Sequence, residues 1–551
     1  MSFTLKRDVL MLNLRPAEAT AFLPAASDRR IWDGLNEDAR RELINKADAA
    51  NQKELPKLSA SLYMNRHQYA QAAAHHRHAM DALVAGACAM GGGQYLGAAI
   101  DAIWQTLERS SWADPLALAL PDIDRPTIDA SAAHTAGSLS LALALLRAEF
   151  DAISPMIAQR INREITRRML VPLAREVKLQ IADGDRMASY AQLLCAALLT
   201  DFERDDRWLS IRYLCGLIER ELRGHTSDGC MRHGLEQHLR DSCALSDILM
   251  MLSIASGGAV ELRDEPDFAR MAGLFAQLFI AGDCFLNPGG DGIRPNIDPD
   301  ALFLLGDSAR LGEVCALASY LNRGERRQRD VLPLMDLLQH ALYRNLFLRE
   351  PARVTKRPQL LIQSMKLAGA RVEPFYAALS GAEAGAFGDF TLFNRDRPLI
   401  QSLRDAHNIP TIDGINQADQ ADMALTRADL RYDPNLSILT MDIGHAYPKN
   451  LGLSAWQRSV MMQPGAVRLM DLVEFEHGEE HRLQFQFVSA RKPTLDGEAI
   501  SLGEVLLRWE GDLQVQIDPL SAPDGAELYR IALETAEAVS GGKYAFIFEA
   551  E

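Results

Sequence analysis

From Leu58 to about Leu348, apolar residues recur at three- and four-residue spacing, the period of a helix with one buried face. The pattern predicts helices over 66–85, 94–109, 131–149, 155–170, 186–202, 206–222, 235–256, 266–281, 309–322 and 331–346. Even lengths and short links are those of stacked αα-hairpins, as in a toroid or solenoid, although no sequence motif recurs among them. Residues 1–57 are polar and broken, with a helical piece over 38–50. Beyond Pro351 the period shortens to two. Runs over 375–379, 390–393, 436–443, 467–475, 482–488, 505–509 and 513–517 predict an antiparallel β-sandwich, interrupted by a helical segment near 524–538. The expected organisation is an N-terminal segment over 1–57, an (α/α) toroid over 58–350 and a β-sandwich over 351–551. Arg349 to Pro358 would be the linker.

Residues 128–172 are the most informative stretch of the helical part. Ala132, Leu139, Leu143 and Leu146 recur at helical spacing with small residues between them, which predicts close packing on a neighbour. Ser154-Pro155 suits the N-cap and first position of a second helix, whose buried face would be Met156, Ile157, Ile161, Ile165 and Met169. Pro172 would stop it.

Composition narrows the class. Hydrophobic content of 48% and charged content of 24% fit an ordinary soluble globular protein. A net charge of −16 argues against nucleic acid and anionic membranes as partners. An acidic ligand would then need a locally basic cleft. No apolar run reaches the length of a membrane span, and the N-terminus lacks the pattern of a signal peptide. Seven cysteines, all between Cys88 and Cys315, read as buried thiols in a reducing compartment, hence a cytoplasmic protein.

Two segments carry a family resemblance. The first comprises Asp129, Thr135, Ser154, Arg160, Ile161, Glu164, Ile165, Arg167, Arg168 and Pro172; the second runs from His407-Asn408 through Ile412-Asp413-Gly414 to Gln417. Met441 to Pro448 and Trp456-Gln457-Arg458 follow the second in the matching order. Together, over roughly 128–490, they resemble the heparinase II/III family. That resemblance implies a helical toroid followed by a β-sandwich, and β-elimination of acidic polysaccharides in a cleft between the domains. Such chemistry needs a group that neutralises the uronate carboxylate, a base for the adjacent C–H, and an acid for the leaving oxygen.

The family's catalytic segments are altered here. An Asn- and Trp-rich segment is replaced by Asp183 to Gln192, where Tyr190 and Gln192 are the candidate substitutes. A segment supplying Glu and Tyr corresponds to Ser227 to His238, which lacks the Tyr but offers Arg232, His233, Glu236 and His238. His233 or His238 would act as base with Glu236 orienting it, while Tyr190, Gln192, Arg232 and His407 would bind substrate. Asp122 stands where the family tends to have His, and Ala382 to Ala386 stands in place of a His- and Asn-rich run. The structural reading of the two helical segments is a packed or solvated helix and that of Asp122 a helix cap or loop, while the groups replaced by Ala382 to Ala386 are simply gone.

Other clusters point to structure. His75, His76 and His78 lack the further ligands of a metal site, so neither a metal nor another cofactor is expected. Arg160, Arg163, Arg167 and Arg168 form a basic stripe, open to an anionic sugar or simply solvated, and Gly289 to Gly292 is a loop. The resulting reading is a protein that binds an acidic, uronate-containing poly- or oligosaccharide, with lyase activity weakened or rewired. A non-catalytic glycan-binding or scaffold protein and a helical-repeat interaction protein are the alternatives. The sequence leaves the glycan and the oligomeric state open.

Overall fold

The computed structural model describes residues 4–116, 126–228, 233–322, 332–347, 354–382, 385–418, 426–522 and 525–551. The chain divides into two compact units. One comprises Met1–Gly224, Leu239–Gly273 and Asp298–Arg353; the other comprises His225–His238, Leu274–Ile297 and Val354–Glu551.

The first unit is helical, and local chemistry sets where its helices begin. Asn36 accepts from two backbone amides to cap Glu37–Asn51, and Asp129 caps Ala130–Leu145 through the Ala132 amide. Ser154 caps Pro155–Ile165, with the proline at its first position. The Ala130–Leu145 helix is buried along most of its length because Ala, Gly and Ser leave room for neighbours on several sides. At Gly137 an added Cβ would fall 2.0 Å from Gln192 Oε1, so the glycine is what lets the Arg186–Leu199 helix lie so close.

Arg168 of the basic stripe is part of the unit's framework. Glu164 receives Arg167 at 2.8 Å and Arg168 at 2.9 Å. Arg168 is buried, donates to the carbonyls of Leu107, Arg109 and Ser110, and stacks on Trp112 at 4.8 Å. It therefore staples the end of the Leu96–Glu108 helix to the helix carrying Glu164. Among the described residues the cysteines Cys88, Cys195, Cys215, Cys243, Cys284 and Cys315 are free thiols, and no helix is long and apolar enough to cross a membrane.

Several local expectations are corrected. Met156 is 65% exposed, because it sits in the first turn after Ser154 and points away from the stripe formed by Ile157, Ile161 and Ile165. Pro172 does not stop the chain's helix. A π-turn over Thr166–Leu170 shifts the hydrogen-bond register, and the chain makes one more turn, Val171–Ala174, that accepts the proline. Residues 279–281 leave the helix to pair with Cys284–Phe285 across a turn in which Gly282 takes φ +59°. A further helix, Pro299–Ser308, is capped by Asp298 and was not anticipated. The segment expected to be helical near 524–538 is instead a strand, Glu527–Thr535, whose Leu528, Ile531 and Leu533 are buried. Pairing on both edges, with Leu513–Ser521 and Leu483–Ser489, outweighs its Ala- and Glu-rich composition.

The second unit is built on two antiparallel sheets. One runs, in spatial order, Thr494–Asp496, Ala499–Ser501, Val505–Glu510, Gly541–Ala550, Ala466–Phe475, Leu453–Gln463, Ser437–Asp442 and Ala428–Arg431. The other runs Leu513–Ser521, Glu527–Thr535, Leu483–Ser489, Arg397–Ile400, Asp389–Asn394, Phe375–Ser380, Leu367–Val372 and Gln359–Ile362. Their inner faces share a core that includes Phe390, Trp456, Phe485, Phe487, Phe546 and Phe548. Within it Arg458 and Asp471 form an ion pair at 2.9 Å, with side chains 1% and 0% exposed. The fold is thus the helical toroid followed by a β-sandwich that the periodicity predicted.

Candidate functional site

The second family-like segment, met from its residues upward, is mostly a structural knot. Asn408 is fully buried: its amide nitrogen donates to the carbonyls of Phe390 and Gln401 and to Ser402 Oγ, and its oxygen accepts from the Val488 amide at 2.6 Å. Gln417 bonds both backbone groups of Phe387, and the Tyr447 hydroxyl donates to the Pro410 carbonyl. Arg458 reaches the carbonyls of Gly388 and Asn408 while Asp471 holds its other side, and Trp456 donates to the same carboxylate. Asn408, Gln417, Tyr447 and Arg458 thus satisfy buried backbone groups, which explains their presence without appeal to substrate.

His407 is the exception in this knot. Its side chain is 18% exposed and its Nδ1 lies 3.4 Å from Asp389 Oδ2. The other Asp389 oxygen accepts from the Asn408 amide at 2.8 Å, which fixes the carboxylate. A carboxylate on Nδ1 orients an imidazole. Asp389 was not singled out from the sequence, since it reads there as the first residue of a strand. The signal was a lone Gly-Asp before that strand.

The segment 233–238 lies in the same unit. His233 is exposed just ahead of the helix Gly234–Ala255. Leu235 N donates to Asn287 Oδ1 at 2.7 Å, and Glu236 Oε1 accepts from the Asn296 amide at 2.5 Å. Glu236 thus fastens the helix start to the 287–296 loop. His238 is buried, with its ring 5.3 Å from that of Phe275. The same loop reaches the His407 segment: Asp291 pairs with Arg404 at 3.1 Å, and Gly292 faces Leu403. The 287–296 loop is therefore touched both by the start of the Gly234–Ala255 helix and by residues 403–404. Arg232, Cys230 and Asp122 lie outside the described residues.

The remaining candidates are in the helical unit. Tyr190 is buried, and burial, followed by nearby Glu221, raises its hydroxyl above the ordinary tyrosine value. Gln192 lies across Gly137, one helical turn from His134. Around His134 is a polar cluster that sequence reasoning missed. Arg77 donates to Ser131 Oγ at 3.2 Å, and Asp81 is 4% exposed. Burial, and then Arg77, push His78 and His134 down to about 4. Burial raises Asp81 to about 7 against the pull of Ser138 and Arg77. His76, one residue from this group, is satisfied by Gln105 and Thr106. The only sequence signal was a run of histidines on one helix, which gave no hint that His134 would join them.

Among the described residues, one group has donor atoms close enough for a metal: Asp298, Asp300 and His340, within 4.8 Å of one another. Arg344, 3.1 Å from Asp300, already supplies positive charge there.

No protein-family model matches the chain, and no curated protein matches it in sequence. Solved structures do match. A heparan sulfate lyase mutant from Pedobacter heparinus aligns with 98% of this chain and 87% of its own at 14% identity, with a TM-score of 0.61. A heparinase III aligns with 94% of this chain and 84% of its own at 10% identity and a TM-score of 0.63. A chondroitin AC lyase from Streptomyces coelicolor covers 95% and 82% at 11% identity and 0.57. This chain has the fold of the heparinase and chondroitin lyases.

Proposed function

We propose that this protein binds an acidic, uronate-containing oligo- or polysaccharide and cleaves it slowly by β-elimination, with a rewired set of groups. The observation that supports this most is the His407–Asp389 pair, a partly exposed imidazole with one nitrogen engaged by a fixed carboxylate. The lyases that share the fold include one described in complex with chondroitin sulphate. In this reading His407 takes the proton from the carbon adjacent to the uronate carboxylate. Electrons from that C–H bond form the new double bond, and the bond to the leaving glycosidic oxygen breaks, that oxygen taking its proton from water. His233, the accessible histidine of its segment, is assigned to the substrate carboxylate. Glu236 holds the helix start in place and does not itself exchange protons.

The acid for the leaving oxygen is the weakest part of the set. The segment that resembles the Tyr-bearing one carries no Tyr, and Ala382 to Ala386 offers only Glu383 as an ionisable side chain. Slow turnover follows. The test is a panel of heparin, chondroitin sulphate, hyaluronan and alginate with the full chain, monitoring both binding and unsaturated chain ends. Binding with slow product release is expected. Binding with no product supports the non-catalytic glycan-binding alternative, and neither binding nor product removes the glycan reading.

A further inference from the structure

The chain as a whole is acidic, yet the β-rich unit gathers positive charge at one place. A cavity of about 350 Å³ is lined by Arg294, Arg397 and Arg491, with Glu527 as the only carboxylate in its wall among the described residues. Arg397 opens one strand of the second sheet, and Arg491 follows the end of another. Arg294 is held at 3.2 Å by Asp283. Among the described residues no carboxylate lies within ion-pair distance of Arg397 or Arg491, although the protein carries 74 acidic residues against 58 basic ones. Such a local excess in a chain of net charge −16 attracts an anion that the rest of the surface repels.

A second, independent observation comes from Gln401. Its backbone is fixed, the amide donating to Val488 O and the carbonyl accepting from Asn408. The residue is only 8% exposed, and it lines this cavity. Its side-chain amide has no hydrogen-bond partner among the described residues, and the cavity keeps it in contact with solvent, where a ligand can reach it. Leu528 gives the wall an apolar surface beside the charged one. Guanidinium groups bind carboxylates and sulfates through paired N–H donors, and an amide supplies one more donor and an acceptor for a hydroxyl. The volume is at the small end for ligand pockets, enough for a sugar unit or two.

We infer that this cavity is an anionic-saccharide subsite, in which Arg397, Arg491 and Arg294 hold a carboxylate or sulfate ester and Gln401 bonds a neighbouring hydroxyl. The inference rests on the glycan reading for the identity of the ligand, while the anion site itself stands on the cavity's residues. It also answers the charge problem posed by the sequence, since the basic surface an acidic glycan needs is local.

The test is calorimetric titration of the full chain with an unsulfated hyaluronan tetrasaccharide, a chondroitin sulphate tetrasaccharide and inorganic sulfate. Wild type is compared with Arg397→Ala, Arg491→Ala and Gln401→Leu. Arg508→Ala, at an exposed ion pair with Glu549, is the control. Both arginine variants should weaken the preferred tetrasaccharide at least tenfold and flatten its salt dependence, with the control unchanged. Equal binding of both tetrasaccharides assigns the carboxylate, and preference for the sulfated one assigns the sulfate ester. Tight glycan binding untouched by the arginine variants overturns the subsite and leaves the glycan reading intact. Sulfate binding that the arginine variants abolish, with no glycan binding, keeps the anion site and removes the glycan. No binding of any probe overturns the site.

Discussion

Arg458 and Asp471 show what a single charged pair does inside a β-sandwich. Neither side chain reaches water, and their bonds extend to Trp456, Gly388 and Asn408. Removing one partner strands the other charge, so Arg458→Met should destabilise the β-rich unit by about 3–5 kcal/mol in denaturant unfolding. A change below 1 kcal/mol would mean the pair is not the hub of this network. Histidines in the helical unit make a pH prediction. His134, held at about 4 by burial and by Arg77, is neutral in the native protein where the unfolded chain has begun to take up a proton. Unfolded chains then bind more protons between pH 6.5 and 4, so the contribution of this histidine is complete above 6.5 and is lost as pH falls through that window. Asp81, raised to about 7, works with the opposite sign, its native state holding a proton that the unfolded chain releases. The comparison is therefore differential. The stability gap between wild type and His134→Gln should shift by about 1 kcal/mol per pH unit between pH 6 and 4.5, in the direction of a weaker wild type. A gap independent of pH would show that His134 protonates freely in the native state.

At the scale of elements, periodicity carried most of the information. Helices over 66–90 and 130–145 and strands such as Ala466–Phe475 bury one face or the whole of their length, and their patterns say so. Composition misled where pairing decided the outcome. Glu527–Thr535 is a strand because two neighbours saturate its backbone, which no local window reveals. The π-turn before Pro172 was equally invisible, because a register change leaves no residue signature. One position where sequence and geometry agree is Gly388, ahead of the strand Asp389–Asn394. Its φ is +80°, and a Cβ there would come 2.9 Å from Ile443 Cγ2. Gly388→Ala should therefore cost more than 1 kcal/mol through strain and overlap, and should loosen the carboxylate of Asp389 beside it. Thermal unfolding of the variant checks this, and an unchanged midpoint would show that the turn relaxes freely.

For the whole molecule, the resemblance found in the sequence and the likeness of fold describe different things. Motif residues such as Asp129, Glu164, Arg168, Asn408 and Arg458 cap helices, staple helix ends and satisfy buried carbonyls. Those roles explain how the architecture stays legible at identities near one in ten. Site chemistry was less legible because it depends on partners distant in sequence. His407 was visible, but Asp389 beside it was not; Glu236 looked like an orienting acid, yet its carboxylate accepts a backbone amide of the 287–296 loop. The account's central claim is that His407 removes the proton in a slow elimination. The most direct measurement is the rate of unsaturated-end formation by the full chain and by His407→Ala, on whichever acidic glycan the wild type binds best. Binding of that glycan is measured alongside. The account predicts slow wild-type release that drops a further ~10²–10⁴-fold in the variant, with affinity changed only a few-fold. Release by the variant at the wild-type rate would contradict it.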